Sequence, residues 1–265
     1  MQALGFLLGR IMHDIVYILR EDIKNPDELR YSLRSVAENF PHRKIWFVCG
    51  QPEGFYPDGR IAHKQEGKTK WERVRTSLLK VAEYGDITDD FYLFNDDFFV
   101  LKKQTEPFTN FVNGTLEKRV RAIQVKSGYS VYSDMLRRTK DLLTFEGVDT
   151  MSFAVHLPML INKQKMKETL ERFGSPMFRS IYGNINNVPY IFHEDVKIYD
   201  DTKIPELDDD YVSTSDHTWI SGAVGRYIRD KFPKPCEYEV PIEERLRKIT
   251  RERYTEEGDE RCHEL

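Results

Sequence analysis

"FYLFNDDFFV", Phe91 to Val100, is the stretch on which the fold turns. Aromatic and aliphatic residues on both sides read as a buried strand, yet Asn95, Asp96 and Asp97 interrupt it with two adjacent carboxylates. Unpaired charges in a low-dielectric interior cost on the order of several kcal/mol each. The acids therefore face a cation, or they occupy a turn that exposes them. Asn-Asp-Asp is good chemistry for a solvated hairpin turn. The hydrophobic flanks favour the other reading, a strand end that presents both acids to a ligand.

The segments around this stretch supply a sheet for it to join. His13–Arg20, "HDIVYILR", is a β-branched and aromatic run of strand character. "NPDELRYSLRSVAENF" follows with a helix start: Asn25 as N-cap, Pro26 in the first turn, and Asp27 and Glu28 at the positive end of the dipole. Leu29, Leu33, Val36 and Phe40 make its apolar stripe, and Arg43–Gly50, "RKIWFVCG", is the next strand. This strand–helix–strand unit is the seed of a parallel sheet. A loop, "GQPEGFYPDG", leads to a second helix near Thr69–Tyr84, with Trp71, Val74, Leu78 and Val81 at helical spacing. The quoted stretch then becomes the third strand.

Farther along, Tyr129–Leu143 predicts a helix, Thr150–Ile161 a strand ending at His156-Leu157-Pro158, and Lys163–Phe173 a helix. "VPYIFHEDVKIYD" holds one strand or a pair, and "STSDHTWISGAVGRYIRDKF" ends in a short helix before Pro233. The division expected is a catalytic α/β domain over 1–200. A C-terminal lid and charged helical tail, with a stripe of Ile242, Leu246 and Ile249, covers 201–265.

A chain of 265 residues can bury a full core, and a net charge of −4 gives no global argument for binding nucleic acid. Cys49, Cys236 and Cys262 are odd in number and widely spaced, which suits a reducing cytoplasm better than a disulfide framework. No apolar run approaches the roughly 20 residues that span a bilayer. The opening "MQALGFLLGRIM" is broken by Arg10 and makes a weak signal peptide. A cytoplasmic protein without membrane contact is the expectation.

Open α/β sheets bind ligands at the carboxyl ends of their strands, where Asp96 and Asp97 fall. Oxygen-only ligands suit Mg²⁺ or Mn²⁺, which take their other positions from water and substrate phosphates. Asn95 can fix the carboxylates by hydrogen bonding. Strand, acidic turn, strand at this place resembles the GT-A glycosyltransferases, whose Asp-x-Asp motif holds the metal of a sugar nucleotide. "DIVY" (Asp14–Tyr17), "DELRYSLRS" (Asp27–Ser35), "RKIWFV" with "GQP" (Gly50–Pro52), "FYLFNDDFFV" and "HLP" (His156–Pro158) resemble the Stealth family of sugar-phosphate transferases in order and spacing. Small phage-type glycosyltransferases, some thought to decorate hydroxymethylated DNA bases, are similar. The family's acidic continuation after "DIVY" is replaced here by "ILRED", and its Pro-Thr-Phe-Asn stretch by "KTKWERVR".

The resemblance implies a metal-dependent glycosyltransferase with a GT-A-like fold, a UDP-type donor and a hydroxyl acceptor. Asp96 and Asp97 would hold Mn²⁺ or Mg²⁺, and His217 of "SDHTW" would be a late metal ligand beside Asp216, a candidate base. His156 would be a ligand, base or phosphate donor, and Gln51 a nucleotide or acceptor contact. From the residues themselves, Arg179 suits a bidentate diphosphate clamp, Arg20 lies at a strand end, and Lys70 and Arg75 lie on the helix before the acids. Each also has an ordinary reading as a surface or capping residue. Between Thr115 and Lys140, seven basic residues, Arg137 and Arg138 among them, interleave with Tyr129 and Tyr132. That patch fits DNA as acceptor or a solvated helix face equally well. Sugar 1-phosphate transfer and a non-catalytic nucleic-acid-binding module stay open as alternatives.

Overall fold

The computed structural model describes residues 12–23, 26–105, 108–174, 177–241, 243–245 and 247. In chain order the elements begin β1 (Asp14–Leu19), α1 (Asp27–Asn39), β2 (Ile45–Cys49), β3 (Gly59–Ile61), α2 (Lys70–Glu83) and β4 (Asp90–Phe94). They continue β5 (Phe98–Val100), β6 (Asn110–Val112), α3 (Leu116–Ser127), α4 (Val131–Phe145), β7 (Met159–Asn162) and α5 (Lys163–Phe173). The last are α6 (Phe178–Ile185), β8 (Tyr190–Phe192), β9 (Lys197–Ile198), β10 (Tyr211–Thr214), α7 (Asp216–Ile220) and α8 (Ala223–Lys231). The expected N-cap Asn25 and the tail stripe of Ile242, Leu246 and Ile249 lie outside the described residues.

The central sheet has the order β3-β2-β1-β4-β7, parallel except for β7 against β4. Burial on both faces explains why β1 and β2 read as near-continuous apolar runs. Ile15, Tyr17 and Leu19 of β1 and Tyr92 and Phe94 of β4 pack on Leu29, Leu33 and Val36 of α1. Val16, Phe91 and Leu93 face the other way, onto Leu78 and Val81 of α2, Met166 and Leu170 of α5, and Phe178 and Tyr182 of α6. The expected α/β class, a parallel-rich sheet flanked by helices, is what the chain forms.

Three sequence expectations need correction. Phe91–Val100 is two strands, not one. β4 lies in the central sheet, while β5 belongs to a smaller sheet of order β5-β10-β9. The change of sheet happens within Asn95–Asp97, closed by Phe98 N donating to Asn95 O at 3.3 Å. Buried polar residues of α1 secure it. Ser32 Oγ donates to Phe98 O (2.6 Å), Val100 N donates to Ser35 Oγ (3.0 Å), and Asn39 Nδ2 donates to Val100 O (2.9 Å). Second, no strand ends at Pro158; β7 starts after it. A proline cannot donate to a ladder, so pairing begins at Met159 opposite Leu93. Third, β3 arises at the end of the loop "GQPEGFYPDG", too short at three residues to show a period.

Residues beyond 200 join this framework. β10 lies between β5 and β9, and Glu239 accepts from Arg34 Nε (2.7 Å) and Arg30 Nη1 (2.5 Å) of α1.

Candidate active site

β2 and β3 lie on one side of β1 and β4 on the other, so the strand order reverses between β1 and β4. Open α/β sheets hold ligands at such a reversal, in the crevice outside the carboxyl ends of the strands. A cleft of about 370 Å³ lies there. Ile18 of β1 and Leu93, Asn95 and Asp96 of the β4 exit form its floor. Lys70, Trp71 and Val74 of α2 form one wall, and Tyr132, His156 and Arg179 stand opposite. Val74 is 38% exposed and Trp71 half-buried, because this part of the α2 apolar stripe faces the cleft and not the core.

The two acids have different neighbours. Burial first, then the charge of Asp97, pushes the Asp96 carboxyl up to about 6, with Arg20 pulling the other way. Asp97 accepts from Lys197 Nζ at 2.8 Å and Ser213 Oγ at 3.2 Å, both at Oδ2. Burial depresses the Lys197 ammonium, but Asp97 outweighs it, and the pKa lies above that of an ordinary lysine. Asp97 therefore has a cation in direct contact. Glu28, read from sequence as a helix-dipole residue, belongs to the same acidic group. Burial pushes it up to about 7, against a hydrogen bond from Thr214 Oγ1 (2.8 Å), and Asp97, Asp96 and Asp216 push it further.

Across the cleft, His156 Nδ1 sits 2.8 Å from Asp195 Oδ1, which also accepts from the His156 backbone N at 3.3 Å. Arg119 Nη2 stands 3.8 Å from the other Asp195 oxygen. Burial raises the Asp195 carboxyl, yet the His156 hydrogen bond and charge prevail and hold it below its ordinary value. With Nδ1 directed at a carboxylate, neutral imidazole carries its proton there and Nε2 is left as acceptor. Arg179 lies beside both clusters. It donates through Nη1 to Leu157 O (2.6 Å) and through Nη2 to Asn95 Oδ1 (3.3 Å), with its guanidinium 5.4 Å from the Phe98 ring centre. Burial lowers its pKa to about 10, against the pull of Asp97.

The fold thus gathers Asn95, Asp96, Asp97, His156 and Arg179, with exposed Arg20 near Asp96 and exposed Asp216 near Asp96 and Glu28. Lys70 also borders the cleft, 5.0 Å above the Trp71 ring. Arg75 borders it too, but its guanidinium is spent on Leu170 O at 3.1 and 3.2 Å. Gln51 is exposed and donates to Phe55 O within its own loop at 3.4 Å. His217 is 71% exposed on its side chain and pairs with Asp201 at 2.8 Å. Arg137 and Arg138 pair with acids of their own helix, Arg137 with Asp134 (2.7 Å) and Asp141 (3.2 Å), Arg138 with Asp134 (2.7 Å). Lys197, Asp195 and Glu28 are the residues that sequence reasoning missed. Nothing in the sequence pointed at Lys197.

The donor set fits a divalent cation poorly. Among the described residues no three His, Cys, Asp or Glu side chains come together as a metal-binding group, so His217 does not complete the acidic pair. One oxygen of Asp97 is already shared by an ammonium and a hydroxyl. A dication at the acidic turn would have to share Asp97 with that ammonium and would be repelled by it.

No protein-family model matches this chain, and no curated protein matches it in sequence. Three solved structures align with it in part. The galactosyltransferase LgtC, in complex with donor and acceptor sugar analogs, is 13% identical with a TM-score of 0.47, over 88% of this chain and 99% of that one. The glycosyltransferase GlyE of Streptococcus pneumoniae TIGR4 is 14% identical with a TM-score of 0.34, over 69% of this chain. The alignment spans 45% of GlyE, under half its length. Mouse xyloside xylosyltransferase 1 is 7% identical with a TM-score of 0.35, over 87% and 96% of the two chains. At these TM-scores no side-chain role is carried over from them. Among the described residues no helix is long and apolar enough to cross a membrane.

Proposed function

We propose that this protein is a glycosyltransferase that binds a nucleotide sugar of the UDP type in the cleft and moves the sugar to a hydroxyl acceptor. One observation carries the reading. At the reversal of strand order, a cationic group suited to a diphosphate (Arg179, Lys197, Arg20) meets a histidine–carboxylate pair suited to an acceptor proton. The acceptor hydroxyl gives its proton to Nε2 of His156 while its oxygen bonds the anomeric carbon. Asp195 holds the imidazole in the accepting tautomer and stabilises the imidazolium that forms. The bond from that carbon to the diphosphate breaks, and the electron pair leaves with the nucleoside diphosphate. Arg179 and Lys197 lie where that negative charge grows, in a partly dehydrated site where fixed charges act strongly. Asp216, exposed near Asp96 and Glu28, would orient the acceptor rather than take its proton.

The dependence on Mn²⁺ or Mg²⁺ that the resemblance implies forms no part of this mechanism, given the poor fit of the donor set. A DNA acceptor is not adopted either, because Arg137 and Arg138 are neutralised on their own helix. The test is incubation with a panel of nucleotide sugars and hydroxyl acceptors, with mass spectrometry of the products. Release of UDP with a glycosylated acceptor is expected. Release of UMP would replace the reading with sugar 1-phosphate transfer, and failure to bind or turn over any nucleotide sugar would remove it.

A further inference from the structure

The position of Lys197 is set by backbone register. In the small sheet, Ser213 of β10 pairs with Lys197 of β9 on one side and with Phe98 of β5 on the other. Lys197, Ser213 and Phe98 thus lie in one row across three strands, and Asp97 is the residue before the row's end. The ammonium at 2.8 Å and the hydroxyl at 3.2 Å converge on the same Asp97 oxygen because the ladder brings them there. The Lys197 and Asp97 side chains are each only 16% exposed. An ion pair formed by two long side chains on an open surface would have neither feature.

This row ends at the acidic turn, where a GT-A-like enzyme would hold its divalent ion. Resting on the nucleotide-sugar reading, we propose that Lys197 is a tethered cation that takes the place of that ion. Donor binding and transfer then proceed without a metal. Its ammonium neutralises the diphosphate oxygen that receives the electron pair when the bond to the anomeric carbon breaks. Arg179 shares that charge from the Asn95 side, and neither residue gives up a proton. Asp97 is then a positioning residue that aims Lys197, and Ser213 steadies both. Such a site also explains why Asp97, alone of the two acids, has a cation in direct contact.

The test is calorimetric titration of UDP into the full chain, once in EDTA and once in Mn²⁺. Affinities equal within about twofold are expected. In EDTA, Lys197→Met, which keeps the apolar stem, should weaken UDP at least tenfold, and Lys197→Arg should recover most of the loss. Wild-type binding that requires Mn²⁺ overturns the tethered cation while leaving the glycosyltransferase reading intact. Undiminished binding by Lys197→Met in EDTA does the same. The wild-type comparison involves no variant and so does not depend on a variant's folding. Failure to bind UDP in either condition removes the nucleotide-sugar reading, and this inference falls with it.

Discussion

On α4, Arg137 meets Asp134 and Asp141 at 2.7 and 3.2 Å, three and four residues away on the same helix. At the end of β4, Asp97 meets Lys197 at 2.8 Å, a hundred residues later in the chain. The two regions carry comparable charge and hold it in opposite ways. The helical pairs are half-exposed and form by local spacing, where solvent screens them. The cleft pair exists only once two sheets have assembled, and it is nearly dehydrated. The helical charge is balanced by neighbours in sequence. The charge at the acidic turn is held by the fold.

The hardest test of that contrast is Asp97→Ala. Removing it strands the Lys197 ammonium in a mostly buried position, so the variant should lose about 3 kcal/mol of stability in thermal or urea unfolding. Turnover should fall by roughly 10²–10³-fold. An unchanged melting temperature would make the cleft pair equivalent to a surface pair and dissolve the comparison. His156→Ala and Asp195→Asn extend it to the other wall. Each should lower kcat by about 10²-fold with little change in donor KM, the scale for losing an aligned base. A near wild-type rate in either variant takes that residue out of the proton path.

Glu28 gives a smaller effect with a definite sign. Its carboxyl titrates at about 7 in the fold, above its ordinary 4.5. The folded state therefore holds the proton more tightly than the unfolded chain, and the associated stability is full below about pH 4.5 and lost as pH rises through about 7. Glu28→Gln should overtake wild type in this interval and be about 1–2 kcal/mol more stable at pH 8. Parallel stability–pH curves for the two proteins would show that Glu28 does not share the acidic cluster. The smallest change belongs to the helix. Arg137→Gln with Arg138→Gln should leave both the melting temperature and donor hydrolysis unaltered. Salt-dependent DNA binding lost in this double variant would reopen the nucleic-acid reading.

What the sequence disclosed follows from these distances along the chain. β1, α1, β2, α2 and α5 declare themselves through periodicity and capping, which act within about fifteen residues. Asp96 and Asp97 stood out as acids in an apolar run, and His156 and Arg179 through local context. The partners that decide what these residues do were silent. Lys197 sits in an ordinary "VKIY", Asp195 in a charged turn, and Glu28 in a helix start that needed no further explanation. The place of Lys197 depends on β10 pairing with β5 and β9 with β10, which no local pattern encodes. Even the division of Phe91–Val100 was hidden, since both halves are equally apolar and only the pairing partners tell them apart.

That division gives the acidic turn two separate anchorages. Asn95 follows β4 directly, while Lys197 and Ser213 come from β9 and β10 of the small sheet, where β10 pairs with β5 and β9 with β10. Cooperative opening of the small sheet would carry the ammonium and the hydroxyl away together and leave the carboxylates on the central sheet. The amides of β9 and β10 should then exchange with deuterium in step, ahead of those of β1 and β4. UDP should slow the first pair far more than the second, because the nucleotide would clasp two leaves of one book.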